Sequence, residues 1–185
     1  FIKIFFIINF NNIIHWSSPR AVSGSISVMK ELVKAFNTRS IKIIGISKGG
    51  SLVLNLLSKA DKDLRNKITD AIIVYPVIDY KYTLLHTKRK DIREQLIKHF
   101  FLSKNPFQLM RDSSPLTFYK SIPIKTKIFL VVGLKDTHVC SNQIEKYYEL
   151  VKPINKNVKL IKWNVDHRFY DEAESYKNLV LSILN

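Results

Sequence analysis

The stretch Ile41–Leu57, "IKIIGISKGGSLVLNLL", decides the reading of this chain. It opens with a short apolar run, turns at Gly-Ile-Ser-Lys-Gly-Gly, and continues as an apolar segment with helical patterning. The chain has only 5 glycines, and Gly45, Gly49 and Gly50 crowd around one serine, Ser47. The pattern predicts a strand over Ile41–Gly45 that passes almost without a loop into a helix over Gly49–Lys59. So sharp a turn forces its serine into a strained backbone conformation. Side chains two positions before and after Ser47 are expected to collide with neighbouring elements, so Gly45 and Gly49 make room. Gly50 lets the new helix pack close. The plainer alternative is an ordinary strand–helix turn with a capping serine.

Outward from this stretch, strand-like and helix-like segments alternate. Ile4–Phe10 reads as a buried strand, Asn11–Val22 as a loop and Ser25–Phe36 as a helix. Further strands are expected over Ala71–Tyr75, Ile128–Val132 and Val158–Trp163, and helices over Ser141–Val151 and Ala173–Leu184. The basic region Asp79–Pro115 holds an amphipathic candidate helix, Ile92–Phe101, with Ile92, Leu96 and Phe100 on one face. Alternation of this kind means βαβ units and a parallel sheet. Right-handed crossovers put the strands' carboxyl ends on one edge, where ligands bind and where Ser47 falls.

Composition narrows the classes. The chain has 185 residues, 46% of them apolar, which suits one globular domain. A single cysteine, Cys140, excludes an internal disulfide and favours a cytoplasmic protein. The net charge is +15, from 30 Lys and Arg against 15 Asp and Glu. These cations are scattered, with one dense cluster at Lys88-Arg89-Lys90 and Arg93. No nucleic-acid-binding motif accompanies them, so no nucleic-acid partner is expected. The opening "FIKIFFIINF" is interrupted by Lys3 and Asn9 and is too short for a membrane span.

Gly45-Ile46-Ser47-Lys48-Gly49 is a Gly-x-Ser-x-Gly motif, the nucleophile elbow of α/β-hydrolases. A serine hydroxyl needs a base, and the base needs an orienting acid. In that fold the order along the chain is serine, acid, histidine. Of five histidines, His15 precedes the serine, and His86 and His99 lie in the basic insertion. His138 follows the strand Ile128–Val132, and His167 follows the last strand and fits best. For the acid, Asp136 stands at a strand's carboxyl end; Asp166, beside His167, and Asp112 are its rivals. The backbone N–H of Lys48 is the expected first oxyanion donor. No HGG-like stretch precedes Ser47 to supply the second; the Asn11–Ser18 loop is a candidate.

Taken together, Gly45–Gly50, "SPLTFYKSI" (Ser114–Ile122), "GLKDTHV" (Gly133–Val139) and His167-Arg168-Phe169 resemble the α/β-hydrolase superfamily. More narrowly they resemble prolyl-oligopeptidase-type peptidases and small carboxylesterases. The resemblance implies Ser47 as nucleophile, Asp136 as acid and His167 as base, with no metal or cofactor. It implies an ester or peptide substrate cleaved through an acyl-enzyme. Lys48 is a departure, and Ser-Lys-Gly is reminiscent of acyl-CoA thioesterases and acyltransferases, which form the alternative. The fold implied is a mostly parallel sheet of about five strands with helices on both faces. Residues 1–185 would form a single partial hydrolase domain, truncated at the N-terminus, with 79–115 as a lid-like insertion. Against that family's sheet, Ile4–Phe10 aligns with the fourth strand. If the chain starts at Phe1, that strand becomes an apolar edge, and self-association through it is expected, as is catalytic impairment.

Overall fold

The computed structural model describes residues 16–167 together with Glu174, Lys177, Asn178, Val180 and Leu181, all five of them helical. The expected strand Ile4–Phe10 and most of the expected closing helix Ala173–Leu184 lie outside the described residues.

The first described helix, α1, runs over Pro19–Ala35. It starts inside the stretch expected to be a loop. Ser18 is its N-cap, with Oγ accepting from the Ala21 N–H at 3.4 Å, and Pro19 takes the first turn, where a missing N–H costs nothing. Strand β1 (Ile41–Ile46) leads into α2 (Lys48–Lys59) through Ser47 alone. A short helix, α3 (Lys62–Lys67), follows; Asp61 caps it by accepting from Leu64 N–H at 2.9 Å. Strand β2 (Ile68–Val74) begins three residues before the expected Ala71, because Ile41 pairs with Ile68 and Lys42 with Asp70, with Thr69 unpaired at the irregularity between them. Strand β3 (Lys127–Gly133), helix α7 (Ser141–Val151) and strand β4 (Val158–Trp163) complete the frame, and the last two have the bounds read from sequence.

The four described strands form one sheet in the order β1-β2-β3-β4, and every pair is parallel. Side chains alternate between two cores, as the period of a strand requires. Ala71 and Ile73 of β2 and Ile128, Leu130 and Val132 of β3 join the larger core, with Leu54 and Leu57 of α2 and Ile144 and Tyr147 of α7. Ile72, Val74 and Val131 face a smaller cluster that includes Tyr75, Val165 and Val180. Both faces of the central strands are thus covered, which parallel strands need.

The segment expected as an insertion folds as three helices, α4 (Tyr80–His86), α5 (Lys90–Phe100) and α6 (Pro106–Ser113), followed by 3-10 turns over Pro115–Ser121. Leu96 and Phe100 are fully buried in the main core, and Ile92 packs against it. The apolar stripe of α5 is therefore core. Buried Gln143 of α7 fastens the entry of this segment. Its Oε1 accepts from the N–H groups of Ile78 (2.8 Å) and Asp79 (3.0 Å), and its Nε2 donates to Thr83 Oγ1 at 3.1 Å. Among the described residues, no helix is long and apolar enough to cross a membrane.

Candidate active site

Parallel strands bring their carboxyl ends to one edge, and the loops there are stitched by backbone bonds. Ser47 N–H donates to Val74 O at 2.8 Å, Tyr75 N–H to Val131 O at 3.0 Å, and Lys135 N–H to Val165 O at 3.1 Å. At the first of these turns Ser47 adopts φ 52° and ψ −121°. For a residue with a Cβ this is a strained backbone, held by the strand before it and the helix after it. Gly45 is needed as expected: a Cβ there would overlap the Gly49 carbonyl oxygen and come within 2.8 Å of Val53 Cγ2. Gly50 is tight as well, with Ile73 and Pro76 atoms at 3.2 Å from an added Cβ. Gly49 departs from the expectation. An added Cβ would meet nothing within 4 Å there among the described residues, because it would project away from the packed side of the turn. The Ser47 side chain makes no capping bond to α2, so the plain reading as a capping serine does not hold.

The Ser47 hydroxyl instead lies 3.0 Å from His167 Nε2, across most of the chain's length. His167 Nδ1 lies 2.7 Å from Asp136 Oδ2. The Asp136 side chain is only 1% exposed. Its other oxygen, Oδ1, accepts from the backbone N–H groups of His138 (2.8 Å) and Val139 (2.9 Å). The β3–α7 loop thus clamps one carboxylate oxygen and leaves the other for the imidazole. Gly133 allows the approach: a Cβ there would come within 2.8 Å of Val165 O and 3.4 Å of Asp136 Cβ.

The rival carboxylates sit elsewhere. Asp166 Oδ1 accepts from His167 N–H at 2.6 Å and Thr137 N–H at 3.2 Å, so it braces the loop that carries the imidazole. Those backbone bonds, His167 first, hold its carboxyl below the usual carboxylate range. Asp112 accepts from Gln108 on α6. His86 stacks on Tyr82 and is exposed, and His15 lies outside the described residues. His99 is half-buried on α5; burial first, then the charge of Lys48, pushes its pKa down.

One neighbour, Tyr75, was not singled out from sequence, and another, His138, was weighed there as a base but not chosen. Tyr75, at φ 50°, packs its ring 5.5 Å from that of His167. His138, set aside as a base, is nearly buried and lies with its ring centroid 4.5 Å from that of His167. Lys48, after the serine, places its ammonium 5.0 Å from the Trp16 ring centroid, and burial lowers its pKa. Ser17 Oγ donates to Lys48 O at 3.2 Å, so the described end of the Asn11–Ser18 loop packs against the elbow.

Asp136, His138 and His167 present ligand atoms within 4.8 Å of one another, a spacing a metal ion could use. Most of their donors are committed, however, although His138 Nδ1 has no hydrogen-bond partner among the described residues. Both nitrogens of His167 and both oxygens of Asp136 serve the bonds above, and the Arg89 guanidinium lies against His138 Nε2. A cation at that nitrogen opposes a second cation.

A parallel sheet with a strained serine elbow at its carboxyl edge, hydrogen-bonded to a late histidine, defines the α/β-hydrolase fold. Residues 20–183 match the prolyl oligopeptidase family, and the chain belongs to it. Solved structures agree on the fold. An esterase of Pyrococcus furiosus superposes with TM-score 0.67 at 20% identity, over 92% of this chain and 63% of that one. The acylaminoacyl peptidase of Pyrococcus horikoshii gives TM-score 0.71 at 18% identity, over 89% of this chain and 27% of that one. A puromycin hydrolase gives 0.62 at 20% identity, over 80% and 21%. The chain therefore spans less than two thirds of these proteins' lengths. A search of curated proteins returned no match.

Proposed function

We propose that this protein is a serine hydrolase that cleaves an ester or amide through an acyl-enzyme. The observation that carries the reading is the continuous path from Ser47 Oγ to His167 Nε2 (3.0 Å) and from His167 Nδ1 to Asp136 Oδ2 (2.7 Å). Ser47 Oγ attacks the carbonyl carbon while His167 Nε2 takes its proton. The Lys48 N–H steadies the developing oxyanion, since the first N–H of a helix after such an elbow points at that oxygen. His167 then gives the proton to the leaving alcohol or amine. Water, deprotonated by the same nitrogen, releases the acid. Asp136 holds the Nδ1–H tautomer and supports the imidazolium charge.

The names of the structural neighbours (esterase, acylaminoacyl peptidase, puromycin hydrolase) suggest small acyl esters and N-blocked or aminoacyl amides as first substrates. The three helices within 79–115 form a cover over the site. Arg89, between α4 and α5, supports this by reaching His138 beside the imidazole. A fluorophosphonate probe tests the reading: it should label Ser47, and Ser47→Ala should abolish labelling. Labelling that survives the substitution, or none in the parent protein, would refute it. Acyl-CoA substrates presented beside p-nitrophenyl esters test the thioesterase alternative, for which Lys48 is the reason.

A further inference from the structure

Two imidazoles crowd one carboxylate at this site. Asp136 Oδ2 receives His167 Nδ1, while His138 Nδ1 stands 3.9 Å from Asp136 Oδ1. The two rings lie 4.5 Å apart at 32°. A protonated His138 would draw on the same carboxylate and would repel the imidazolium that His167 must become. Something has to keep the second ring neutral.

Arg89 is placed to do so. Asp91 takes one edge of its guanidinium, with Nε to Oδ1 and Nη2 to Oδ2 both at 2.8 Å. The remaining nitrogen, Nη1, lies against His138 Nε2. A guanidinium only donates, so Nε2 has to accept, and the single proton of the ring belongs on Nδ1. We infer that Arg89 and His138 form a positioning pair: Arg89 pins His138 as the neutral Nδ1–H tautomer, so that no second imidazolium charge stands beside Asp136 and His167. The catalytic consequence rests on the hydrolase reading above; the state of the His138 ring does not.

The charged groups around His138 come from three segments. Arg89 belongs to the α4–α5 connection, Asp136 to the β3–α7 loop, and Asp166 and His167 to the loop after β4. Burial is the largest influence and favours the neutral ring; the charges of His167 and Arg89 act the same way, and Asp136 and Asp166 oppose them. Asp91 keeps Arg89 in place and is itself held ionised by it. The pair also ties the site to the helical segment 79–115, since Arg89 reaches His138 from that segment.

The test compares the parent protein with Arg89→Gln and with Arg89→Gln/His138→Gln. Arg89 is partly exposed and outside the core, so its loss should leave the fold intact, as circular dichroism would check. Side-chain NMR of the histidines, assigned with His138→Gln, reads the tautomer and titration of His138 without requiring activity. In the parent protein His138 should remain the neutral Nδ1–H form at pH 7, and in Arg89→Gln its titration midpoint should rise by about one pH unit. For ester hydrolysis, the acid limb of kcat/KM in Arg89→Gln should steepen toward two protons and move up in pH by about one unit, with KM unchanged. The double variant should regain the parent limb. A His138 already protonated at pH 7 in the parent, or one whose titration ignores Arg89→Gln, overturns the pair. So does a limb shift that persists in the double variant, because Arg89 would then act on His167 directly. If the hydrolase reading itself fails, Ser47 goes unlabelled in the parent protein while the NMR result still decides the pair.

Discussion

Replacing Asp136 by asparagine tests how the two oxygens of one carboxylate are divided. Oδ1 holds the N–H groups of His138 and Val139 at 2.8 and 2.9 Å, and Oδ2 holds His167 Nδ1 at 2.7 Å. Asparagine has a single oxygen. Left on the two backbone donors, it turns its NH2 toward His167 Nδ1, which must then accept. The imidazole proton moves to Nε2, where a donor faces the Ser47 hydroxyl and cannot take its proton. Rotating the amide restores the tautomer but orphans two buried N–H groups. At about 1–3 kcal/mol for each unsatisfied donor, the productive arrangement lies about 4 kcal/mol uphill. A population of about one in 10³ follows, so Asp136→Asn should slow fluorophosphonate acylation by about 10³-fold. The same change at Asp166 should cost less than about tenfold, since an amide oxygen can keep the bonds from the His167 and Thr137 N–H groups. The assay is the rate of probe labelling at neutral pH, with melting curves to show that both variants fold. If Asp136→Asn reacted within tenfold of the parent rate, or if Asp166→Asn were the slower of the two, the assignment of the orienting acid would fail.

Gln143→Leu should destabilise the fold by about 3 kcal/mol, because the N–H groups of Ile78 and Asp79 lose their acceptor. Urea unfolding measures this, and a loss under about 1 kcal/mol would mean that the loop finds another partner. Gly45→Ala and Gly49→Ala separate the two glycines of the elbow. The first should cost at least about 2 kcal/mol and slow labelling of Ser47, since its Cβ overlaps the α2 backbone; the second should be neutral or stabilising by up to about 1 kcal/mol. Equal losses at the two positions would contradict the packing described. Burial first, then the Lys48 charge at His99 and the His167 and Arg89 charges at His138, depress both histidines in the folded state. The unfolded chain then binds more protons, so stability should hold above about pH 6.5 and fall as the pH drops from there toward the folded values. A denaturation midpoint that rises on acidification from pH 7 to about 5.5 would contradict this.

The elbow was legible in the sequence because everything that makes it is local. An apolar strand, one serine, its glycines and an apolar helix lie within Ile41–Leu57, and the strain at Ser47 arises from their succession. Alternation of segments sufficed for the parallel sheet, since buried parallel strands read as continuous apolar runs. Boundaries were poorer where a cap resembles a loop: Ser18-Pro19 begins α1, and Asp61 begins α3. The Asp79–Pro115 region showed one helix in its pattern and holds three.

Residue types and their order along the chain were enough to nominate Ser47, Asp136 and His167. The sequence favoured Asp136 over Asp166 and Asp112 and His167 over His138, but it could not show how the carboxylate is held or that His138 stands beside the imidazole. Asp166 adjoins His167 in the chain yet meets its backbone, while Asp136 meets its ring. That outcome depends on how the β3–α7 loop closes over Gly133 and on where two backbone N–H groups hold Oδ1. Likewise Arg89 and His138 meet only because the α4–α5 connection is brought against the β3–α7 loop, far along the chain. Side-chain direction at a loop is set by packing between segments far apart in sequence, and no local pattern encodes it.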